Sequence, residues 1–305
     1  MPTPAAQFSH VTRPVLRYYG GKFRLAQRLV QMFPPHHVYV EPFGGAASVL
    51  MQKPRSHAEV YNDMDGEVVN VFRVLQNARK CKRLQELLRV TPFAREEFDL
   101  SYKSARTRDE VERARRTIMR SFMGFGSDSI TRIKSTSAGF NSRISTMRTG
   151  FRYNSVRSNV TAATDWASYA NSLSDFLDRM RGVIIENRCA LKVIRKMDRA
   201  DCLFYVDPPY PRGVRNSGNL KKRVEHNYRH EMTDAQHGNL AELLHECKGM
   251  VIVSSYPGKQ YESLYADWRH WEWTGQQFCH GSRKRTECVW MNEAAYANSP
   301  QLRMF

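Results

Sequence analysis

The sequence has no long apolar run and few cysteines. No stretch of its 305 residues approaches the length of a membrane span, and the N-terminus carries no apolar segment of the signal-peptide type. The six cysteines are scattered, without a C-x-x-C pair, which argues against a disulfide framework or a zinc ribbon. These absences predict a soluble cytoplasmic protein with no metal site and no membrane partner.

Acidic residues are also in deficit. The chain has 47 Lys and Arg against 30 Asp and Glu, and its net charge is +17. Residues 103–157 hold 13 of the basic residues and only 4 acidic ones. A basic excess predicts a polyanionic partner, and phosphate contact explains this concentration better than a solvated charged face does.

Short apolar strands alternate with amphipathic helices in both the first and the last part of the chain, which predicts an α/β fold. The intervening part is helical and then, over 124–153, rich in Gly, Ser, Thr and Arg with interleaved Phe. That composition favours a binding surface over a disordered linker. The predicted strands are 38–40, 58–62, 183–186, 202–206 and 250–255, with a final hairpin of 268–274 and 287–291. The predicted domains are a loose tail (1–14), a split sheet domain (15–75 and 180–305) and a helical basic insertion (76–179).

A carboxylate follows the apolar strand 202–206, where Asp207-Pro208-Pro209-Tyr210 begins. Open α/β sheets bind their ligands at the carboxyl ends of their strands, so Asp207 is predicted to lie in a site. The exocyclic amine of a nucleic-acid base is a poor nucleophile because its lone pair is delocalised into the ring. A carboxylate and a backbone carbonyl that accept its N–H groups make it more reactive, and an aromatic ring gives the base a stacking face. The competing interpretation is an ordinary Asp-Pro turn.

A glycine turn after the first strand and an acid at the end of the second strand follow each other as in a nucleotide-binding half-sheet. Glu41-Pro42-Phe43-Gly44-Gly45 follows the first strand, and Asp63 ends the second strand about 20 residues later. Glycines let a backbone turn approach a ligand, and an acid at this distance holds ribose hydroxyls in such folds. Taken singly, the glycines fit a tight turn and the acid fits a helix N-cap.

These motifs occur in one order, preceded by Arg17-Tyr18-Tyr19-Gly20-Gly21-Lys22 and interrupted by the basic insertion. In this arrangement the chain resembles the DNA adenine N6-methyltransferases of the Dam family (D12, α-class), especially their phage and prophage members. The resemblance covers 15–75 and 180–293. It implies a Rossmann-like S-adenosylmethionine-dependent methyltransferase sheet with a helical DNA-binding insertion. The implied activity is methyl transfer to adenine N6 in double-stranded DNA, in the cytoplasm of a bacterium or of a phage-infected host.

The resemblance also implies residue roles. Asp207 would accept the target amine, and Tyr210 would stack on an adenine rotated out of the duplex. Lys22 could pair with the carboxylate of the cofactor. Arg285-Thr286-Glu287 resembles the closing hairpin signal of the family and would be structural. The implied catalytic residues are Asp207, Pro208, Pro209 and Tyr210. The implied cofactor residues are Tyr18, Lys22, Glu41, Phe43, Gly44, Gly45, Asp63 and Asp207. The predicted DNA contacts are Arg120, Arg132, Lys134, Arg143, Arg148, Arg152, Lys221, Lys222 and Arg223.

The chain departs from the family at two points. Members that read GATC carry an Asn-Arg box where this sequence has Ser121-Phe122-Met123-Gly124-Phe125-Gly126, and base reading needs such side chains. Relaxed or non-GATC specificity is therefore expected. Many members also carry an acid near the cofactor adenine, where this chain has Cys189, so no cofactor role is predicted there. The basic run 211–229, which ends in Arg229, is expected to order on the DNA backbone.

Other acceptors fit the same chemistry, namely RNA adenine, cytosine N4 or a protein glutamine amide. Asp207 favours adenine, because cytosine enzymes more often carry Ser at this position and glutamine enzymes more often carry Asn. An inactive DNA-binding protein with this fold is the alternative from another class. The sequence leaves open the oligomeric state and the biological role, which could be phage self-protection, host regulation or restriction-modification.

Overall fold

The computed structural model describes residues 8–103, 107–125, 150–152, 161–211, 228–276 and 284–299. Within these ranges, seven strands form one sheet. The strands are β1 (Val38–Glu41), β2 (Ala58–Asn62), β3 (Val183–Glu186), β4 (Cys202–Val206), β5 (Met250–Ser255), β6 (Arg269–Gln276) and β7 (Lys284–Met291). Their order is β3-β2-β1-β4-β5-β7-β6, in which β1 to β5 run parallel and β7 pairs antiparallel with both neighbours.

Side chains cap the first turn of several helices. Asp65 accepts the backbone N–H of Glu67, and Asp109 accepts that of Val111, in each case satisfying an otherwise unpaired donor. The helices of the described residues are α1 (Ala26–Gln31), α2 (Ser48–Gln52), α3 (Gly66–Gln76), α4 (Ala78–Val90), α5 (Arg95–Lys103), α6 (Glu110–Met123), α7 (Ala162–Tyr169), α8 (Leu173–Met180), α9 (Ala190–Met197), α10 (Asp234–His245), α11 (Lys259–Leu264) and α12 (Glu293–Ala297).

Both faces of the sheet are covered. Successive residues of β4 alternate between two apolar clusters, with Leu203 and Tyr205 in one and Phe204 and Val206 in the other. The first cluster packs under α3, α6 and α8, and the second packs under α9, α10 and α11. This accounts for the unbroken apolar character of β4, because a parallel strand is buried on both sides. The predicted α/β fold, a Rossmann-like sheet with helices on both faces, is confirmed.

The helices of the predicted insertion 76–179 pack directly against the sheet domain. Ile118 and Phe122 of α6 belong to the same apolar cluster as Val71 of α3 and Tyr205 of β4. Residue 76 is the last residue of α3, whereas residue 179 lies within α8. The division of the chain into a split sheet domain and an insertion stays a prediction.

The site is positioned by the point where the strand order reverses. The chain passes from β1 through β2 to β3 on one side and then crosses back, so that β4 lies on the other side of β1. Ligands of open α/β sheets bind at the carboxyl ends of the strands at such a point. In the part of the chain that the structure describes, no helix is long and apolar enough to span a bilayer. The same residues include no cluster of three His, Cys, Asp or Glu side chains suited to a metal ion.

Candidate active site

A cavity of about 440 Å³ opens at the carboxyl ends of β1, β2 and β4, within the size range of roughly 300–1,000 Å³ usual for small-molecule sites. Every residue predicted to bind the cofactor lines it, and so does Pro209. These residues come from the first loop, the glycine turn after β1, the end of β2 and the end of β4. They are Tyr18, Lys22, Glu41, Phe43, Gly44, Gly45, Asp63 and Asp207.

The glycine turn is shaped mainly by its neighbour Tyr61. A Cβ on Gly44 would lie 2.2 Å from Cε2 of Tyr61, and the Tyr61 hydroxyl donates to the Gly45 carbonyl at 2.7 Å. Gly45 has a φ of +47°, a conformation that favours glycine. The absence of a side chain at Gly44 is therefore explained by packing on Tyr61, a reason different from the ligand approach that the sequence suggested.

Glu41 is a buried carboxylate at the end of β1. Its Oε1 accepts hydrogen bonds from the Tyr39 hydroxyl and the Leu50 N–H, both at 2.7 Å. Burial nevertheless raises the pKa of Glu41 to about 7, because removal from water penalises the charged form. The group can therefore exchange a proton near neutral pH.

Two carboxylates follow β2. The oxygens of Asp63 accept the N–H groups of Gly45 (2.8 Å) and Asp65 (2.7 Å), while burial raises the pKa of Asp63 to about 6. Asp65, at 2 % exposed, forms an ion pair with Arg229, whose Nη1 lies 2.7 Å from Oδ1. Oδ2 of Asp65 is buried without a hydrogen-bond partner among the described residues. Arg229 thus compensates a charge that is otherwise poorly satisfied.

Asp207 is held from two sides. The ammonium of Lys22 lies 3.0 and 3.1 Å from its two oxygens, and Ser254 at the end of β5 donates to Oδ1 at 2.9 Å. Lys22 is only 4 % exposed and also donates to the Gly20 carbonyl at 2.9 Å. Burial alone would lower the pKa of Lys22, but Asp207 and Glu287 outweigh that effect and raise it. Lys22 therefore stays protonated beside Asp207.

Tyr210, the last residue of the turn, does not contribute to the cavity wall. Its ring is 2 % exposed and packs edge-on against Tyr256 with 4.7 Å between centroids. Its hydroxyl donates to the buried Oε1 of Glu287, which also lies 3.4 Å from Nζ of Lys22. The predicted stacking of a base on Tyr210 stays a prediction, and it requires a face of this ring to become uncovered.

The outer wall of the cavity is formed by Tyr228–Met232 and by Cys189–Leu191 at the start of α9. The Tyr228 ring packs edge-on against Tyr19, with 5.3 Å between centroids. Arg229 was expected on the DNA backbone, but here its guanidinium binds Asp65. Cys189, for which no cofactor role was predicted, lines the cavity.

The cavity is acidic although the chain is basic. Five carboxylates line it, against the imidazole of His230 and two cationic side chains, Lys22 and Arg229, which are both ion-paired with acids. The acids are Glu41, Asp63, Asp65, Asp207 and Glu231. A cationic ligand is therefore favoured inside the cavity, whereas the net charge of +17 favours a polyanion outside it.

One predicted DNA contact is corrected. Arg120 is 5 % exposed, and its guanidinium donates to the Ser101 carbonyl and to the Thr117 hydroxyl. It is a packing residue here and not a surface cation. Arg152 is half-buried, and its backbone N–H donates to the Met123 carbonyl. The remaining predicted contacts, Arg132, Lys134, Arg143, Arg148, Lys221, Lys222 and Arg223, lie outside the described residues.

Three residues near the motifs were not predicted for the site. Asp65 could have been identified, because it stands two residues after Asp63 and before a helix. Ser254 ends an apolar strand, as Asp207 does, which was a weak signal. Arg229 had no sequence signal, because nothing local pairs it with Asp65.

One of two comparisons with known proteins gives a match, and it agrees with this geometry. A search of curated proteins finds no match to this chain. A family model described as D12 class N6 adenine-specific DNA methyltransferase matches residues 18–276, a span that contains the whole cavity and the Asp207–Tyr210 turn.

Proposed function

The chain belongs to the D12 class of N6 adenine-specific DNA methyltransferases, and on this premise we propose that it transfers a methyl group from S-adenosylmethionine to N6 of an adenine flipped out of double-stranded DNA. The observation that carries the proposal is the position of Asp207. This residue opens the Asp-Pro-Pro-Tyr turn directly after β4 and lines an acidic cavity at the reversal point of the sheet.

The chemistry of the cavity fits this cofactor. S-adenosylmethionine carries an ammonium and a sulfonium, and carboxylates supply the charge that such groups need. Glu41 would hold the ammonium, and Asp63 would accept ribose hydroxyls with the lone pairs that its two backbone contacts leave over. Pairing of Lys22 with the cofactor carboxylate would require it to give up one of its partners. When bound, the cofactor supplies a methyl group activated by positively charged sulfur.

Asp207 has acceptor capacity left for the target amine. An ionised carboxylate offers about four lone-pair sites. Lys22 takes one on each oxygen, and Ser254 takes the second site on Oδ1. One site on Oδ2 therefore remains for an N–H of adenine, and a backbone carbonyl of the Asp207–Tyr210 turn would accept the other. Both acceptors act on positive charge that develops at N6, which is where stabilisation raises the rate.

We further propose that sequence recognition is relaxed. Ser121, Phe122 and Met123 stand where GATC-reading members have their Asn-Arg box, and all three are buried. The Ser121 hydroxyl accepts from the Arg17 N–H at 2.6 Å and donates to the Arg17 carbonyl at 3.2 Å, so it fastens α6 to the first loop. Side chains packed in this way leave phosphate contacts as the main support for DNA binding, and such contacts carry no sequence information.

The proposal is tested with purified protein, S-adenosylmethionine and duplex DNA of mixed sequence, followed by mapping of N6-methyladenine. Methyladenine in many sequence contexts is expected. Modification confined to one short palindrome would refute relaxed recognition while supporting adenine methylation. Product found only on cytosine N4, or only when RNA replaces DNA, would identify a different acceptor. Absence of any product and of cofactor binding by calorimetry would indicate an inactive scaffold.

A further inference from the structure

Glu287 on β7 is a buried carboxylate to which the proposed reaction gives no task. It is 1 % exposed, and its Oε1 accepts the hydroxyl of Tyr210 and lies 3.4 Å from Nζ of Lys22. Burial raises its pKa, and Lys22 opposes that rise. The sequence suggested only a structural role in the closing hairpin. Its neighbours are nevertheless groups of the candidate active site.

Lys22 and Glu287 close a ring with the two ends of the catalytic turn. Lys22 binds Asp207 at one end, Glu287 binds Tyr210 at the other, and the two buried groups face each other. The ammonium also lies 4.6 Å from the centroid of the Tyr210 ring. The first and fourth residues of the turn are thus both held by groups from distant parts of the chain.

A single cation is shared by two carboxylates within this ring. The ammonium of Lys22 has three N–H donors and faces four acceptor atoms, namely the Gly20 carbonyl, both oxygens of Asp207 and Oε1 of Glu287, so these groups share its donors and its charge. Because Glu287 also attracts the ammonium of Lys22, this ammonium neutralises the charge of Asp207 only in part. If Glu287 were uncharged, Lys22 would act on Asp207 alone and reduce its strength as an acceptor for the adenine amine.

We propose that Glu287 is a positioning residue for methyl transfer, which keeps Asp207 a strong hydrogen-bond acceptor by sharing the ammonium of Lys22. The inference rests on the proposed function. Glu287 does not line the cavity, so it acts through Lys22 and not by contact with cofactor or DNA.

The main test is Glu287→Gln, which keeps the shape and an acceptor for the Tyr210 hydroxyl but removes the charge. Single-turnover methylation of duplex DNA at saturating S-adenosylmethionine is expected to slow about tenfold, or about 1.4 kcal/mol in the barrier. The dissociation constants for S-adenosylmethionine and DNA should stay within about twofold, a difference of roughly 0.4 kcal/mol. A thermal midpoint equal to that of wild type is expected too.

Two further variants separate charge from packing. Tyr210→Phe removes the hydroxyl but leaves Glu287 beside Lys22, so its rate should fall by less than about threefold, or roughly 0.65 kcal/mol. Glu287→Asp keeps the charge and should be at least about threefold faster than Glu287→Gln. If Glu287→Gln does not fold, Glu287→Asp is compared with wild type and must retain at least about one third of its rate.

Three results would overturn the inference. The first is a wild-type rate in Glu287→Gln, and the second is a rate in Tyr210→Phe as low as that of Glu287→Gln. The third is a parallel loss of rate, cofactor affinity and thermal midpoint, which indicates a structural role. Each of these leaves wild-type methylation intact, whereas failure of the proposed function would appear as a wild-type protein without methyladenine product.

Discussion

Substitution of Gly44 by alanine tests the packing that shapes the cofactor cavity. The added Cβ would lie 2.2 Å from Cε2 and 2.5 Å from Cδ2 of Tyr61, far inside van der Waals contact. The Tyr61 ring cannot withdraw easily, because its hydroxyl donates to the Gly45 carbonyl and the ring lies against Phe72, with 4.6 Å between centroids and an interplanar angle of 47°. Either the ring or the turn must therefore move.

Overpacking of this kind costs about 1–3 kcal/mol. At about 2 °C per kcal/mol for a chain of this size, Gly44→Ala should lower Tm by roughly 2–6 °C. Displacement of the turn should also weaken S-adenosylmethionine binding, measured by calorimetry. The matched control is Gly238→Ala in α10, where nothing lies within 4 Å of the new Cβ and the helix gains about 0.5–1 kcal/mol.

A second variant identifies the colliding group. Tyr61→Val removes the ring atoms that meet the new Cβ, so Gly44→Ala should cost less stability in that background than in wild type. Equal cost in both backgrounds would show that Tyr61 is not the obstacle. A Gly44→Ala protein with the Tm and cofactor affinity of wild type would refute the reasoning altogether.

Three other predictions follow from the same site. Asp207→Ala should abolish methyl transfer and leave DNA affinity in a gel-shift assay largely unchanged, because this carboxylate lines the cavity and does not contact phosphates. A turnover of one tenth of wild type or more would contradict its role, since a tenfold loss of rate is only about 1.4 kcal/mol in the barrier. Arg229→Met should lower Tm, because it leaves the buried charge of Asp65 without its cation. The loss should be smaller in an Asp65→Asn background, and equal losses in both backgrounds would contradict the ion-pair argument. Glu41 has a pKa of about 7 in the folded protein and about 4.5 in the unfolded chain, so wild type loses stability as the pH rises from 4.5 to 7. The Tm of Glu41→Gln should therefore rise relative to that of wild type over this interval. A difference in Tm that does not change with pH would contradict the raised pKa.

The sequence predicted the sheet strands well because their signal is local. An apolar run that ends at a polar or turn residue marks a buried parallel strand, and β2, β3, β4 and β5 have the predicted bounds. Helices α5, α9, α11 and α12 were not predicted. Each is short, and its formation depends on packing more than on its own residues.

The cavity residues were predictable for a related reason. Residues at the carboxyl ends of parallel strands meet at one edge of the sheet. The positions of Glu41, Asp63 and Asp207 could therefore be inferred from the ends of the predicted strands. The two motifs Arg17–Lys22 and Glu41–Gly45 added the rest of the wall by resemblance, and all of their predicted cofactor residues line the cavity. Their roles toward a cofactor stay predictions.

Only the tertiary structure decided which charges meet. Lys22, Asp207 and Glu287 are separated by 185 and 80 positions in the chain, yet they form one buried cluster. Arg120 looked like a surface cation in a basic segment, but the packing of α6 on α3 and α5 buries it. Local pattern determines where a strand ends and which side chain follows it. Ion pairs and burial depend on how distant segments pack, because the free energy of a charge is set by its solvent exposure and its partners.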